Sequence, residues 1–404
     1  FYFFLRLLLF FLLPLLSTFH NLLSSFFFFF FFLMIRLPPI STLFPYTTLF
    51  RSGVMLDLQR LYRQPLELLA ELEAPGALDD APGLAARVRH CLYEAVAGGQ
   101  EGVAAARLIS HFNDRLTERI IAATARRHRL PPVAWCWLAL GSEGRHEQTF
   151  VTDQDNGLIF LASSPQEADA LRDLFLPFAQ EANQRLADAG FTLCPGKIMA
   201  GNPAWCLSLD EWREQFIEWV RRPEPEALLN ASIFFDLRPL CGELDLGEKL
   251  RTLLLSMTMA TPSFQHLMAA NALQAEVPLN FRGELALDAN GEIDLKKFGS
   301  RIFVDAARIL ALSTGTRDVN TVDRLQQAGR EIGLPAQEIA GLTAALGHLL
   351  RLRLAQKMAA AESHDPVGTG LKPAVLHELD QAILREALKQ ARRLQQRLKL
   401  NYSL

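Results

Sequence analysis

Two acidic residues one position apart, Asp153 and Asp155, stand at the entry to an apolar run, Leu158-Ile-Phe-Leu161. Upstream, Gly141-Ser142 closes another apolar run, Val133 to Leu140. In an extended strand residues i and i+2 project to the same face, roughly 6.5–7 Å apart at Cα. Carboxylates so placed can share a pair of Mg²⁺ ions, which lie about 3.5–4 Å apart in two-metal sites. Ions held there would bridge a triphosphate and an attacking oxygen, stabilising both ends of an in-line displacement. Gly141 has no Cβ and lets backbone approach a phosphate closely. Ser142 and the N–H groups after it open a helical turn that favours an anion. Arg145 can supply a bidentate phosphate contact. The chemistry suited to this set is phosphoryl or nucleotidyl transfer.

Positioning these groups takes a strand, a Gly-Ser turn, a short helix and a second strand across residues 133–161. The full string, GSEGRHEQTFVTDQDNGLIF over 141–160, resembles a known family. A Gly-Ser pair followed by Asp-x-Asp is the signature of the DNA polymerase beta-like nucleotidyltransferase superfamily. The longer string, with Gly-Ser-Glu-Gly-Arg, Glu147-Gln148 and Thr152-Asp-Gln-Asp-Asn156, is similar to the branch related to the protein-PII uridylyltransferase. Cys194-Pro-Gly, Met199-Ala200 and Asn202-Pro-Ala-Trp205 extend the likeness, as do Asp305-Ala-Ala-Arg308, Asn320 to Arg324 and Arg351-Leu-Arg353 in the C-terminal part.

The resemblance implies transfer of a nucleoside monophosphate from an NTP, with UTP as donor and a PII-like regulatory protein as hydroxyl acceptor. It implies Mg²⁺ on Asp153 and Asp155, with Gly141, Ser142 and Arg145 cradling phosphate. It also implies a third carboxylate on a neighbouring strand. Ile233-Phe-Phe-Asp-Leu-Arg238 reads as that strand, with Phe234, Asp236 and Arg238 on one face. An acid there must be paired or metal-bound. Asp236 is therefore either the third metal ligand or one half of a structural pair with Arg238. Members of the branch often carry cyclic-nucleotide-binding or CBS domains upstream. A nucleotide-binding signalling module without turnover is the alternative function, disfavoured by the intact Asp-x-Asp.

Fold class follows as α/β: a small mixed sheet with flanking helices, then an all-α bundle. Residues 1–52 stand apart. They hold 15 of the 28 phenylalanines and no acidic residue, and FFFFFFFLMIRLPPISTLFPYTTLFRS within them resembles translated sequencing-adapter read-through. Taken literally, the first 34 residues would be long enough to span a bilayer. Helical spacing marks 53–130 as a lead-in and 246–404 as a helical domain; the resemblance implies that 131–245 is the catalytic domain and 246–404 the substrate-binding one. The lead-in helices are expected over 85–97 and 103–129, with Ala81-Pro-Gly83 as a break.

The whole chain carries a net charge of −3, and −6 once the three arginines of residues 1–52 are set aside. Bulk charge thus gives no basis for nucleic-acid binding. Five cysteines without Cys-x-x-Cys spacing suit free thiols in a reducing cytosol. His364-Asp365 lacks the partner dyad of a metal phosphohydrolase, Gly368 to Lys372 lacks P-loop spacing, and Ser142 lacks a Gly-x-Ser-x-Gly frame. Lys197 and Asn202 are either nucleotide contacts or parts of a turn anchored by Trp205.

Overall fold

Val133 to Leu140 is apolar at every position, and in the computed structural model the strand it forms is covered on both faces. The structure describes residues 67–74, 76–97, 101–150, 152–363 and 370–404. Residues 1–52, the first part of the lead-in (53–66) and the His364-Asp365 pair lie outside them. All described residues belong to one unit of the chain.

Helix α1 (Ala81–Ala97) and helix α2 (Gly102–Ala125) precede strand β1 (Trp135–Ala139). The expected break at Ala81-Pro-Gly83 is instead the first turn of α1. Proline is tolerated there because its missing N–H would have no partner, and Asp80 Oδ1 accepts the Gly83 N–H at 3.0 Å. A one-turn helix α3 (Gly141–Gly144) follows β1, then strand β2 (Asn156–Phe160) and helix α4 (Pro165–Asp188), capped by Ser164. Strand β3 (Cys206–Ser208) leads into helix α5 (Leu209–Arg221) through a Ser208/Glu211 capping box. Helix α6 (Pro225–Phe234) precedes strand β4 (Arg238–Gly242).

The four strands lie in the order β3-β2-β1-β4. β1 runs antiparallel to both β2 and β4, and β2 runs parallel to β3. This bears out the mixed sheet. Pro239 sits on edge strand β4, where a missing N–H is tolerated. The pleat sends Trp137, Ala139, Leu158 and Phe160 into a core with α1, α2 and α4. Cys136, Leu138 and Ile159 point into a second core, built mainly by the helices after β3.

Those helices continue as α7 (Leu244–Met259), α8 (Pro262–Ala272), α9 (Arg301–Thr314), α10 (Thr321–Glu331), α11 (Ala336–Ser363) and α12 (Glu378–Tyr402). A π-helical turn, Lys296–Ser300, leads into α9. Among the described residues no helix is long and apolar enough to cross a membrane.

One expectation fails here. Ile233 and Phe234 end helix α6, Asp236 lies in the turn after it, and the strand begins only at Arg238. Buried Ala227, Leu228, Ala231 and Phe234 recur at helical spacing from a proline start, a pattern that outweighs the short alternation of 233–238.

Candidate active site

The chain leaves β1 at Leu140 and turns at Gly141, whose φ of +53° lies in the left-handed region. A Cβ added there would stand 2.8 Å from Asp155 Oδ2, so the glycine is needed both for the turn and for the carboxylate lying over it. The Leu140 N–H donates to the Asp155 carbonyl at 2.9 Å, which fixes this approach by the sheet ladder itself. We expect Gly141→Ala to cost about 1–2 kcal/mol through the backbone alone. Displacement of Asp155 should lower activity further; thermal midpoints and turnover measured side by side would separate the two losses.

Asp153 pairs with Thr192 in an isolated parallel bridge and is exposed, while Asp155 is half-buried at the mouth of β2. Burial pushes the Asp155 carboxyl up; the Cys194 thiol, hydrogen-bonded to it, opposes the shift, neighbouring Asp153 adds to it, and Lys296 and Arg145 oppose it.

The intervening side chains bond to buried groups. Gln154 donates to the carbonyls of Asn183 and Phe191, both at 3.0 Å. Asn183 Nδ2 donates to Gln154 Oε1 at 2.8 Å and to Asn156 Oδ1 at 3.0 Å. Asn156 Oδ1 also accepts the Ala200 N–H at 2.8 Å. This amide network pins the strand from behind and leaves the two aspartates to the front.

Glu143 of α3 is buried, with Asp114 and Asp155 among its charged neighbours. Burial first, then those two acids, push its carboxyl up to about 8, against the pull of Arg238. A carboxyl raised from an ordinary 4.5 makes the folded state bind more protons than the unfolded state between those values. That contribution to stability is full below pH 4.5 and is lost as pH rises towards 8. Glu143→Gln should therefore flatten the stability profile over this range and make the variant the more stable protein above pH 8. Denaturant midpoints that change with pH equally in both proteins would contradict this.

Arg145 is engaged by two carboxylates. Its Nε donates to Glu147 Oε2 at 2.9 Å and its Nη1 to Asp236 Oδ2 at 2.6 Å. Asp236, completely buried, also receives Arg308 through Nε at 3.0 Å and Nη2 at 2.6 Å, and Arg324 through Nη1 at 2.5 Å. Burial alone would raise its pKa, but the three guanidiniums overcome this and hold it far below the usual carboxylate range. Both oxygens of Asp236 are thus committed to arginines. This favours a structural role for Asp236 over that of third metal ligand, and it corrects the Asp236–Arg238 pair, because Arg238 binds Asp114 at 2.7 Å instead. Gly144 makes the arrangement possible: a Cβ there would lie 2.1 Å from the Asp236 carbonyl.

Sequence reasoning missed how far the C-terminal helices brace this loop. Glu147 Oε1 accepts the Thr321 N–H at 2.7 Å, and Asn320 Nδ2 donates to the Arg145 carbonyl at 2.9 Å. Asn320 also caps α10 through the Val322 N–H. Asn202 proves to be part of a turn. Its Oδ1 accepts the Ala204 N–H at 3.1 Å, and Trp205 beyond it stacks on Trp212.

The donor set at Asp153 and Asp155 suits Mg²⁺. This ion commonly uses one or two protein carboxylates and leaves its other positions to water and substrate phosphates. Among the described residues no group of three or more His, Cys, Asp or Glu could hold a metal.

Two family models match the chain. Residues 86–226 match the one described as "Putative nucleotidyltransferase DUF294", and residues 262–402 match "Putative nucleotidyltransferase substrate binding domain". The chain belongs to this nucleotidyltransferase family. The first match runs from within α1 through α3 and β2 into α6, and so takes in Gly141, Ser142, Asp153 and Asp155. The second contains Arg308, Asn320 and Arg324, the residues that lock the site loop from behind. No curated protein matches the chain.

Proposed function

We propose that the chain transfers a nucleoside monophosphate from an NTP to a hydroxyl acceptor, releasing pyrophosphate. The observation that carries this reading is the Asp155 carboxylate seated over side-chain-free Gly141, with Asp153 two residues away on the same strand entry. Asp153 and Asp155 would hold Mg²⁺. When bound, it neutralises phosphate charge and acts as a Lewis acid on the phosphoryl oxygens. Gly141 leaves room for the Asp155 carboxylate, and Ser142 lines the same turn. The Gln154–Asn183–Asn156 network keeps the aspartates in register, so that little reorganisation is needed when charge develops.

Arg145 acts in positioning. It ties α3 to Asp236 and through Glu147 to α10, which links the shape of the nucleotide turn to the C-terminal helices. With Asp236 occupied, the acceptor hydroxyl is left without a third carboxylate from that turn, and two aspartates serve the reaction. The likeness to the protein-PII uridylyltransferase supports UTP as donor and a PII-like protein as acceptor. Incubation with UTP, Mg²⁺ and a purified PII-like protein tests this pairing by mass. A gain of one UMP per acceptor chain is expected. An acceptor of unchanged mass under every NTP would remove that pairing.

A further inference from the structure

Arg145 is committed to two carboxylates, so the charge of a bound polyphosphate must be met by other cations. Arg353 and Lys357 lie four residues apart on α11 and so share a face. Arg353 Nη1 donates to the Ser300 hydroxyl at 3.0 Å, which joins that face to the π-helical turn carrying Lys296. Gly299 of the same turn packs against Leu349, where a Cβ would make an ordinary 3.6 Å contact. Asp294 Oδ1 caps the turn through the N–H groups of Lys296 and Lys297, both at 2.9 Å.

Among the described residues, none of Lys296, Arg353 and Lys357 forms an ion pair with a carboxylate, although most arginines around them do. Their charges act on one another and on the site. Lys357 interacts with Arg353, Lys296 and Asp153, and Lys296 also interacts with Asp155. Burial first, then Arg353 and Lys296, depress the Lys357 ammonium, with Asp153 opposing. Arg353 and Lys357 are half-buried and Lys296 is exposed; Glu147 and Asp294 act on Arg353 from beyond ion-pair distance, so the three cations keep a local excess of positive charge that favours an anion.

We infer that Lys296, Arg353 and Lys357, supplied by the C-terminal helices, form the polyphosphate-binding face opposite Asp153 and Asp155. The inference rests on the nucleotidyl-transfer reading. It makes the helical half a partner in holding the nucleotide as well as any acceptor. The β- and γ-phosphates would lie between the lysines and the metal-bound aspartates.

Isothermal titration of the full chain with sodium tripolyphosphate in Mg²⁺, set against orthophosphate, tests it. Charge-assisted contacts of this kind contribute about tenfold each. Lys296→Met with Lys357→Met should therefore weaken tripolyphosphate by about a hundredfold. Lys296→Arg with Lys357→Arg should restore most of the affinity, and added salt should weaken the wild type more than the methionine variant. Thermal midpoints confirm that each variant is folded. Equal binding by wild type and methionine variant, or no tripolyphosphate binding by the wild type, overturns the inference. Tripolyphosphate binding without transfer from any NTP would leave this face standing and refute the transferase reading instead.

Discussion

Asp236→Ala is expected to destabilise the protein by about 3–5 kcal/mol, because it strips three buried guanidiniums of the carboxylate they share. Asp236→Asn should recover only part of this, since an amide keeps one acceptor oxygen but loses the charge. A metal-binding carboxylate behaves in the opposite way: its removal leaves the apo protein as stable as before. Urea midpoints for the two variants, measured without metal, therefore discriminate between the roles. A midpoint unchanged in Asp236→Ala would return Asp236 to the list of metal ligands. The Asp236 turn is where α9 and α10 reach the catalytic half, through Arg308 and Arg324. Its loss should accordingly expose both cores to unfolding.

Asp155→Asn is expected to produce two changes of opposite sign. Nucleotidyl transfer should fall by about a thousandfold or more, the equivalent of several kcal/mol of charge stabilisation lost with the metal. The metal-free protein should become more stable. Burial and the neighbouring Asp153 both penalise the Asp155 carboxylate, and an amide is relieved of that penalty. The wild type should regain the difference on adding Mg²⁺, and the variant should not. A variant that loses activity and also melts earlier without metal would show that Asp155 supports the fold, and would weaken the reading of a cation site.

The approach of Asp155 to Gly141 was legible in the sequence, because it depends on neighbours in the chain. Gly141, Ser142, Asp153 and Asp155 are close in sequence, and a strand–turn–strand brings them together by local geometry alone. The sheet was legible for the same reason, because unbroken apolar runs bounded by Gly, Ser and Pro are what strands covered on both faces require. Asp236 was not. Its partners Arg308 and Arg324 lie 72 and 88 residues away, and nothing in the spacing of 233–238 announces them. The short alternation Ile233 to Leu237 also fits the end of a helix, and burial decided for the helix.

The carboxylate partners of Arg145 were hidden for a related reason. Its type suits phosphate, but it suits a carboxylate equally well, and two carboxylates are within reach. The amide network behind the aspartates was hidden too, because Gln154 and Asn156 carry no chemistry until Asn183 is brought beside them.

Nucleotidyl transfer carried by Asp153 and Asp155 is tested most directly by labelling. The full chain is incubated with Mg²⁺, each of the four NTPs labelled at the α-phosphate, and lysate proteins as acceptors. The Asp153→Asn, Asp155→Asn double variant runs alongside. The account predicts label on an acceptor with at least one NTP, and none with the double variant. Nucleotide binding with no label transferred to anything would contradict it, and would mark the chain as a nucleotide-binding signalling module.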